Sequence, residues 1–253
     1  MTDRRDYWRW LDGVLRRYRQ LGFFVRGEYA GLEGAALRET VVGDHDRWFQ
    51  DGYFAACRQP LALPALERLV VTRDRWRIWD TDPEQVYREG AFYARGLEAL
   101  ARISSGAFAP GAPTEQWLEN PEAAYPVIFL DIPLVDGAQR LWILRKGDFA
   151  VQGFVAALNA RLPAGHDFWF IAALDWAVLM LDAPTLAMLR RWGWTLEIPE
   201  TGGVLADPEP EAVAPTPGDG ELYLQRGLWR HARGDFDGAY GDWAMARQAS
   251  GGP

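Results

Sequence analysis

The sequence predicts an α+β protein with a mainly antiparallel sheet, flanking helices and a carboxy-terminal helical hairpin. Two patterns carry this reading: short alternating apolar and polar runs interleave with segments of helical spacing, and several strand candidates are joined by tight turns. A third observation is a Pro- and acid-rich stretch that sets the last residues apart. With 253 residues, 49% hydrophobic and 25% charged, the chain has the composition of a folded soluble protein, which excludes disordered and collagen-like classes.

In residues 3–21 the apolar positions Tyr7, Trp8, Leu11, Val14, Leu15, Tyr18 and Leu21 fall three or four apart, and Gly22 follows as a C-cap. An amphipathic helix is expected there. Residues 23–66 hold five glycines and two prolines, which predicts short helices and loops. Residues 69–72 and 75–79 alternate and read as strands, with Arg73, Arg75 and Arg77 on a solvated face and Trp76 and Ile78 inward. Asp82-Pro83 signals a helix start, continued by Val86, Tyr87, Phe92, Tyr93, Leu97, Leu100 and Ile103.

After a Gly/Pro-rich loop at 104–113, residues 125–132 and 140–144 predict two strands joined around Asp136-Gly137. Residues 148–162 return to helical spacing. Residues 168–174 and 177–181 read as strands meeting at Asp175-Trp176, and 183–192 as a short helix stopped by Gly193.

Between 199 and 220 there are five acids, no base and five prolines, the composition of a flexible or extended linker. The expected organisation is an α+β domain at 1–198, a linker at 199–220 and a helical hairpin at 221–253. Net charge is −8, of which −3 belongs to residues 1–198. An acidic chain predicts no counterion-release footprint on nucleic acid. All but one of the 27 basic residues are arginine, a skew typical of a GC-rich bacterial genome.

Within the last segment Tyr223 takes the large first-helix position, Gly227 the small position under the paired helix, and Gly234-Asp235-Phe236 the turn. Ala239, Trp243 and Ala246 form the small-large-small face of the second helix. Residues 221–249 thus resemble one tetratricopeptide repeat, although the closing proline of the pattern is missing and no second copy lies upstream. The resemblance implies a helix–turn–helix that often serves protein interaction. A lone repeat cannot bury its own apolar face, so it must dock on residues 1–198, on another copy or on a partner. Tyr223, Arg226, Trp229, Arg230, Tyr240 and Trp243 are the candidate protein-binding residues. Residues 1–198 resemble no particular family.

Chemistry-bearing motifs are sparse. Asp44-His45-Asp46 could orient a histidine, yet it reads better as a polar turn after Gly43. Asp80-Thr81-Asp82 has the spacing of a divalent-cation pair, but Asp82 is better explained as a helix cap. Cys57 is the single cysteine, on an apolar face, so it reads as structural and excludes an intrachain disulfide. Nucleophile-elbow, P-loop and dinucleotide fingerprints are missing. No catalytic residue, cofactor or metal is therefore expected.

The amino-terminal residues are charged at once, and the longest apolar runs are too short for a bilayer, so no signal peptide or membrane segment is expected. The chain carries 13 tryptophans, 9 tyrosines and many arginines, the types enriched at interface hot spots. The expectation is a non-catalytic protein-binding protein of the bacterial cytoplasm, similar in its acidic, Trp-rich, motif-poor character to toxin-neutralising immunity proteins. Two alternatives are an enzyme acting on a glycan or nucleotide through Asp80, Asp82 or the His45 region, and a homo-oligomeric scaffold component whose hairpin pairs with its twin.

Overall fold

In the computed structural model the described residues are 3–59, 62–81, 91–119, 126–143, 148–172, 177–200, 204–206, 215 and 217–251. They form, in order, α1 (Arg4–Arg19), α2 (Gly34–Val42), α3 (Asp46–Ala56), α4 (Leu63–Val71), β1 (Ile78–Asp80), α5 (Phe92–Ile103), β2 (Thr114–Leu118), β3 (Val127–Leu134) and β4 (Gly137–Ile143). There follow α6 (Asp148–Asn159), β5 (His166–Ile171), β6 (Ala177–Asp182), α7 (Ala183–Arg191), β7 (Leu196–Glu197), β8 (Val204–Ala206), α8 (Gly220–Ala232) and α9 (Phe236–Ala249). The fold is α+β. Every described strand pairing is antiparallel.

The chain divides into two compact units. One comprises Met1–Thr81, Arg102–Ser105 and Ala164–Glu197; the other comprises Asp82–Ala101, Gly106–Pro163 and Ile198–Pro253.

In the first unit α1 is the central helix. Tyr7, Leu11, Val14, Leu15 and Tyr18 line its buried face, a capping box between Asp3 and Asp6 starts it, and Arg16, Arg17 and Arg19 suit the dipole at its end. Leu37 and Val41 of α2, Phe49 and Tyr53 of α3, and Leu66 and Val70 of α4 complete the helical side of the core. Its sheet has the order β1-β6-β5-β7. Ile78 pairs with Leu179 and Phe170 with Glu197, and Ile171, Leu179 and Leu196 face the helices. The Trp194 indole donates to the Tyr18 hydroxyl at 2.8 Å, which satisfies two polar groups inside an apolar cluster.

Residues 69–79 differ from the expected pair of strands. Residues 69–71 close α4, whose Leu66, Val70 and Val71 point inward at helical spacing after Pro64. A short β-branched run cannot be told from a buried helix end by periodicity. The strand starts only at Ile78. Asp74 explains the delay: it is 1% exposed, and its carboxylate accepts from the Phe24 amide at 2.6 Å and the Trp76 amide at 3.0 Å. These side-chain-to-backbone bonds close a turn in place of a ladder. Arg77 is correspondingly half-buried, with its guanidinium 5.2 Å over the Phe23 ring. Trp76 turns to donate to Glu28 at 2.8 Å and crosses Gly27, where a Cβ would come within 1.7 Å of the indole nitrogen.

In the second unit the sheet order is β2-β3-β4-β8. The β3–β4 hairpin turns at Val135-Asp136, and Gly137 takes φ +132°, a conformation open to glycine. Arg140 forks onto Asp131 across the two strands at 2.6 and 3.0 Å. β2 directly follows the Gly/Pro-rich loop at 104–113 and pairs with β3, and β8 forms inside the 199–220 stretch expected as a linker to the hairpin, pairing Trp142 with Leu205. Phe154 of α6 meets Tyr93 of α5 at 5.3 Å. The expected helix start at Asp82-Pro83 and the Asp175-Trp176 turn lie outside the described residues.

Two aspartates respond oppositely to pH. Burial pushes the Asp74 carboxyl above the usual carboxylate range, outweighing its two amide bonds, so its contribution to stability is full below the unfolded pKa and lost as pH rises through the folded one. Asp182 caps α7, accepting from the Thr185 amide at 2.9 Å. Hydrogen bonds from Thr185 lower its pKa, so its contribution is present above the unfolded pKa and lost as pH falls. In urea unfolding near neutral pH, Asp182→Ala is expected to cost about 1 kcal/mol and Asp74→Ala about 2–4 kcal/mol, through two stranded amides. On acidification the Asp182→Ala deficit should close while the Asp74→Ala deficit grows.

Candidate functional site

The carboxy-terminal hairpin is built from its caps inward. Asp219 accepts from the Leu222 amide at 3.1 Å and opens α8; Asp235 accepts from the Gly238 amide at 3.0 Å and opens α9. Between them the Gly234 amide donates to the His231 carbonyl and the Asp235 amide to the Arg230 carbonyl, both at 3.0 Å, with Gly234 at φ +82°. This is a Schellman motif, which satisfies the last carbonyls of α8.

The helices cross at Gly227. A Cβ there would stand 2.4 Å from the Trp243 indole nitrogen and 3.1 Å from the Ala239 carbonyl oxygen, so only glycine admits this approach. Ala239 is buried beside it, and Ala246 is buried further along, where its carbonyl faces Gly220. Asp242, 2% exposed, lies between the helices and accepts from Arg226 Nε at 2.8 Å, while Arg230 stands 3.2 Å away. The Arg226 guanidinium also lies 5.4 Å over the Tyr223 ring. One buried carboxylate thus holds two arginines of α8 onto α9.

The inner face of α8 docks on the second unit's sheet. Trp229 is fully buried and meets Trp142 at 4.9 Å, and Trp142 meets Phe129 at 3.8 Å. Val127, Leu118, Leu222 and Leu228 surround them. The apolar stripe that a lone hairpin cannot cover by itself is closed by β3 and β4.

The outer side of the hairpin differs. Phe236 is 52%, Tyr240 62% and Met245 39% exposed, three of the seven exposed large hydrophobics among the described residues. His231, also exposed, touches the Phe236 ring at 5.0 Å and the Trp243 ring at 5.6 Å, and Tyr240 meets Trp243 edge-on at 5.5 Å. These four rings make one continuous aromatic surface.

Of the six residues singled out from sequence, Tyr223, Arg226, Trp229 and Arg230 hold the hairpin together or dock it, Trp243 is half-buried between helix and surface, and Tyr240 is exposed. Phe236 and Met245 were not anticipated. The signal for Phe236 is a second stripe on α9 with Tyr240 and Ala244, offset from the Ala239-Asp242-Ala246 stripe that faces α8, whereas Met245 lies on the opposite flank of the helix, about 180° from Phe236.

Of the alternative centres, His45 and Asp80 stand at exposed positions. His45 ends a 3-10 turn, Gly43–His45, and is exposed; neighbouring Asp46 is engaged by Arg4 at 3.2 Å. Asp80 is exposed at the end of β1, and Asp82 lies outside the described residues. Among the described residues no three His, Cys, Asp or Glu side chains gather where a metal ion could be held, and no helix is long and apolar enough to cross a membrane. A cleft of about 550 Å³ between α1 and α2 is lined by Asp12, Arg16, Arg19, Glu33 and Leu37. Its charges are mixed and partly committed: Arg38 Nη1 donates to both Asp12 carboxylate oxygens at 2.6 and 2.7 Å, and Arg19 donates to the Leu32 carbonyl at 2.7 Å.

Asp242→Ala leaves two arginines without their buried acceptor and is expected to destabilise the second unit by about 3–5 kcal/mol. The check is chemical unfolding followed by tryptophan fluorescence, since Trp229 and Trp243 report release of the hairpin. Comparison with protein families, with curated proteins and with solved structures finds no match.

Proposed function

We propose that this chain is a non-catalytic protein-binding protein of the bacterial cytoplasm, and that its recognition surface is the outer face of the α8–α9 hairpin. The observation that carries this reading is the aromatic surface that Phe236, Tyr240 and Trp243 of α9 form with His231 at the end of α8, on a hairpin whose inner side is already committed. Exposed contiguous aromatic surface of this kind marks association sites, and tyrosine, tryptophan and arginine dominate hot spots.

Rigidity supports it as well. Two capping aspartates, the Gly227 crossing and the buried Asp242 cluster fix α9 before any partner arrives. A pre-ordered surface spends little of its binding energy on ordering itself. The partner is a protein rather than nucleic acid, because the whole chain carries −8 and the exposed face offers rings in place of a basic track.

The test is affinity capture with the full chain, comparing wild type with a Phe236→Glu/Tyr240→Glu variant. Both positions are exposed, so the unfolding midpoint should move little. Wild type is expected to retain a stoichiometric protein and the variant to lose it. Equal retention by both would remove the outer face from consideration.

A further inference from the structure

We infer that the occupant of this face is a second copy of the chain, with α9 lying antiparallel against its twin about a twofold axis; the inference rests on reading the outer face as a protein-binding surface.

The reason is self-complementarity. At 100° per residue, Asp237, Tyr240, Ala244 and Arg247 share one stripe of α9, and all four positions are exposed. The stripe is polar at both ends with opposite signs, acid in the first turn and base in the last. Along it a large ring, Tyr240, is followed one turn later by a small residue, Ala244.

An antiparallel twin centred on residue 242 places Asp237 opposite Arg247 of the other copy, and the Tyr240 ring over its Ala244. The twofold axis repeats each contact, as isologous interfaces require. Phe236 then flanks the seam. A parallel twin would instead set Asp237 against Asp237 and Arg247 against Arg247, and like charges repel. A single pair of four-turn helices buries area at the low end of specific interfaces, so the dimer should form at micromolar concentrations.

The helix dipole offers a competing reason for the same two charges, since acids suit the first turn and bases the last. Charge exchange separates the two explanations. Sedimentation equilibrium of the full chain across the micromolar range is expected to show monomer and dimer in exchange. Asp237→Arg and Arg247→Asp should each weaken the dimer about tenfold, by turning two attractions into two repulsions. The doubly exchanged chain should return to within about threefold of wild type, because antiparallel pairing restores both contacts. Tyr240→Glu should leave a monomer whose unfolding midpoint equals that of wild type measured at concentrations too low for the dimer.

A purely intrahelical role predicts that the doubly exchanged chain is the least helical and gains nothing in association, which would overturn the inference. A chain that stays monomeric at every concentration would also overturn it. If the Phe236→Glu/Tyr240→Glu variant still loses a stoichiometric foreign protein in that case, self-pairing alone has failed and the protein-binding reading stands. If capture is unaffected too, both have failed.

Discussion

The burial of Trp229 against Trp142, 4.9 Å between rings, decides how the carboxy-terminal hairpin is held and therefore which of its faces the solvent sees. Two helices of this length bury too little apolar surface to persist alone. Docking α8 through its largest side chain supplies the missing burial, and a fully buried tryptophan contributes several kcal/mol when set against its removal. Once α8 is committed to the sheet, α9 is left as the outer layer, and the exposure of Phe236 and Tyr240 follows from that geometry rather than from their own preferences.

The interior of the hairpin is polar where a hydrophobic core would suffice. Asp242 with Arg226 and Arg230 incurs a desolvation cost that its Coulomb attraction roughly offsets, so the cluster adds little net stability over an apolar filling. Its effect is on register. A carboxylate that must meet two guanidiniums one turn apart admits a single sliding position of α9 along α8, and the glycine crossing at 227 admits a single depth. Together they set where each outer residue of α9 stands.

Where local rules act alone, the sequence is readable. α1 follows from its inward stripe and the Asp3–Asp6 box, the β3–β4 turn from Asp136-Gly137, and α7 from the Asp182 cap with Pro184 in its first turn. Residues 69–79 mislead because Leu69-Val70-Val71 suits either a strand or a buried helix end, and because Asp74 looks like a solvent-facing carboxylate until Phe24 arrives from fifty residues earlier to donate to it. β8 is invisible for the same reason: three residues in a Pro-rich stretch become a strand only when β4 offers them a ladder. At the candidate site the motif located the hairpin, but residue type could not sort its inner from its outer aromatics. That assignment depends on which side meets Trp142.

The pairing of Ile78 with Leu179 has a bearing on how the chain is made. During synthesis the helices α1 to α4 emerge with their apolar faces complete, yet the strands that cover those faces, β5, β6 and β7, lie beyond the whole of β2 to α6 in the chain. The first unit therefore cannot close until most of the second has been translated, and its core stays open on the ribosome for that interval. Long-range closure of this kind slows folding and prolongs the exposure of sticky surface. The abundance of arginine along α1, at positions 4, 5, 9, 16, 17 and 19, gives the waiting helix a charged outer side opposite its open apolar face.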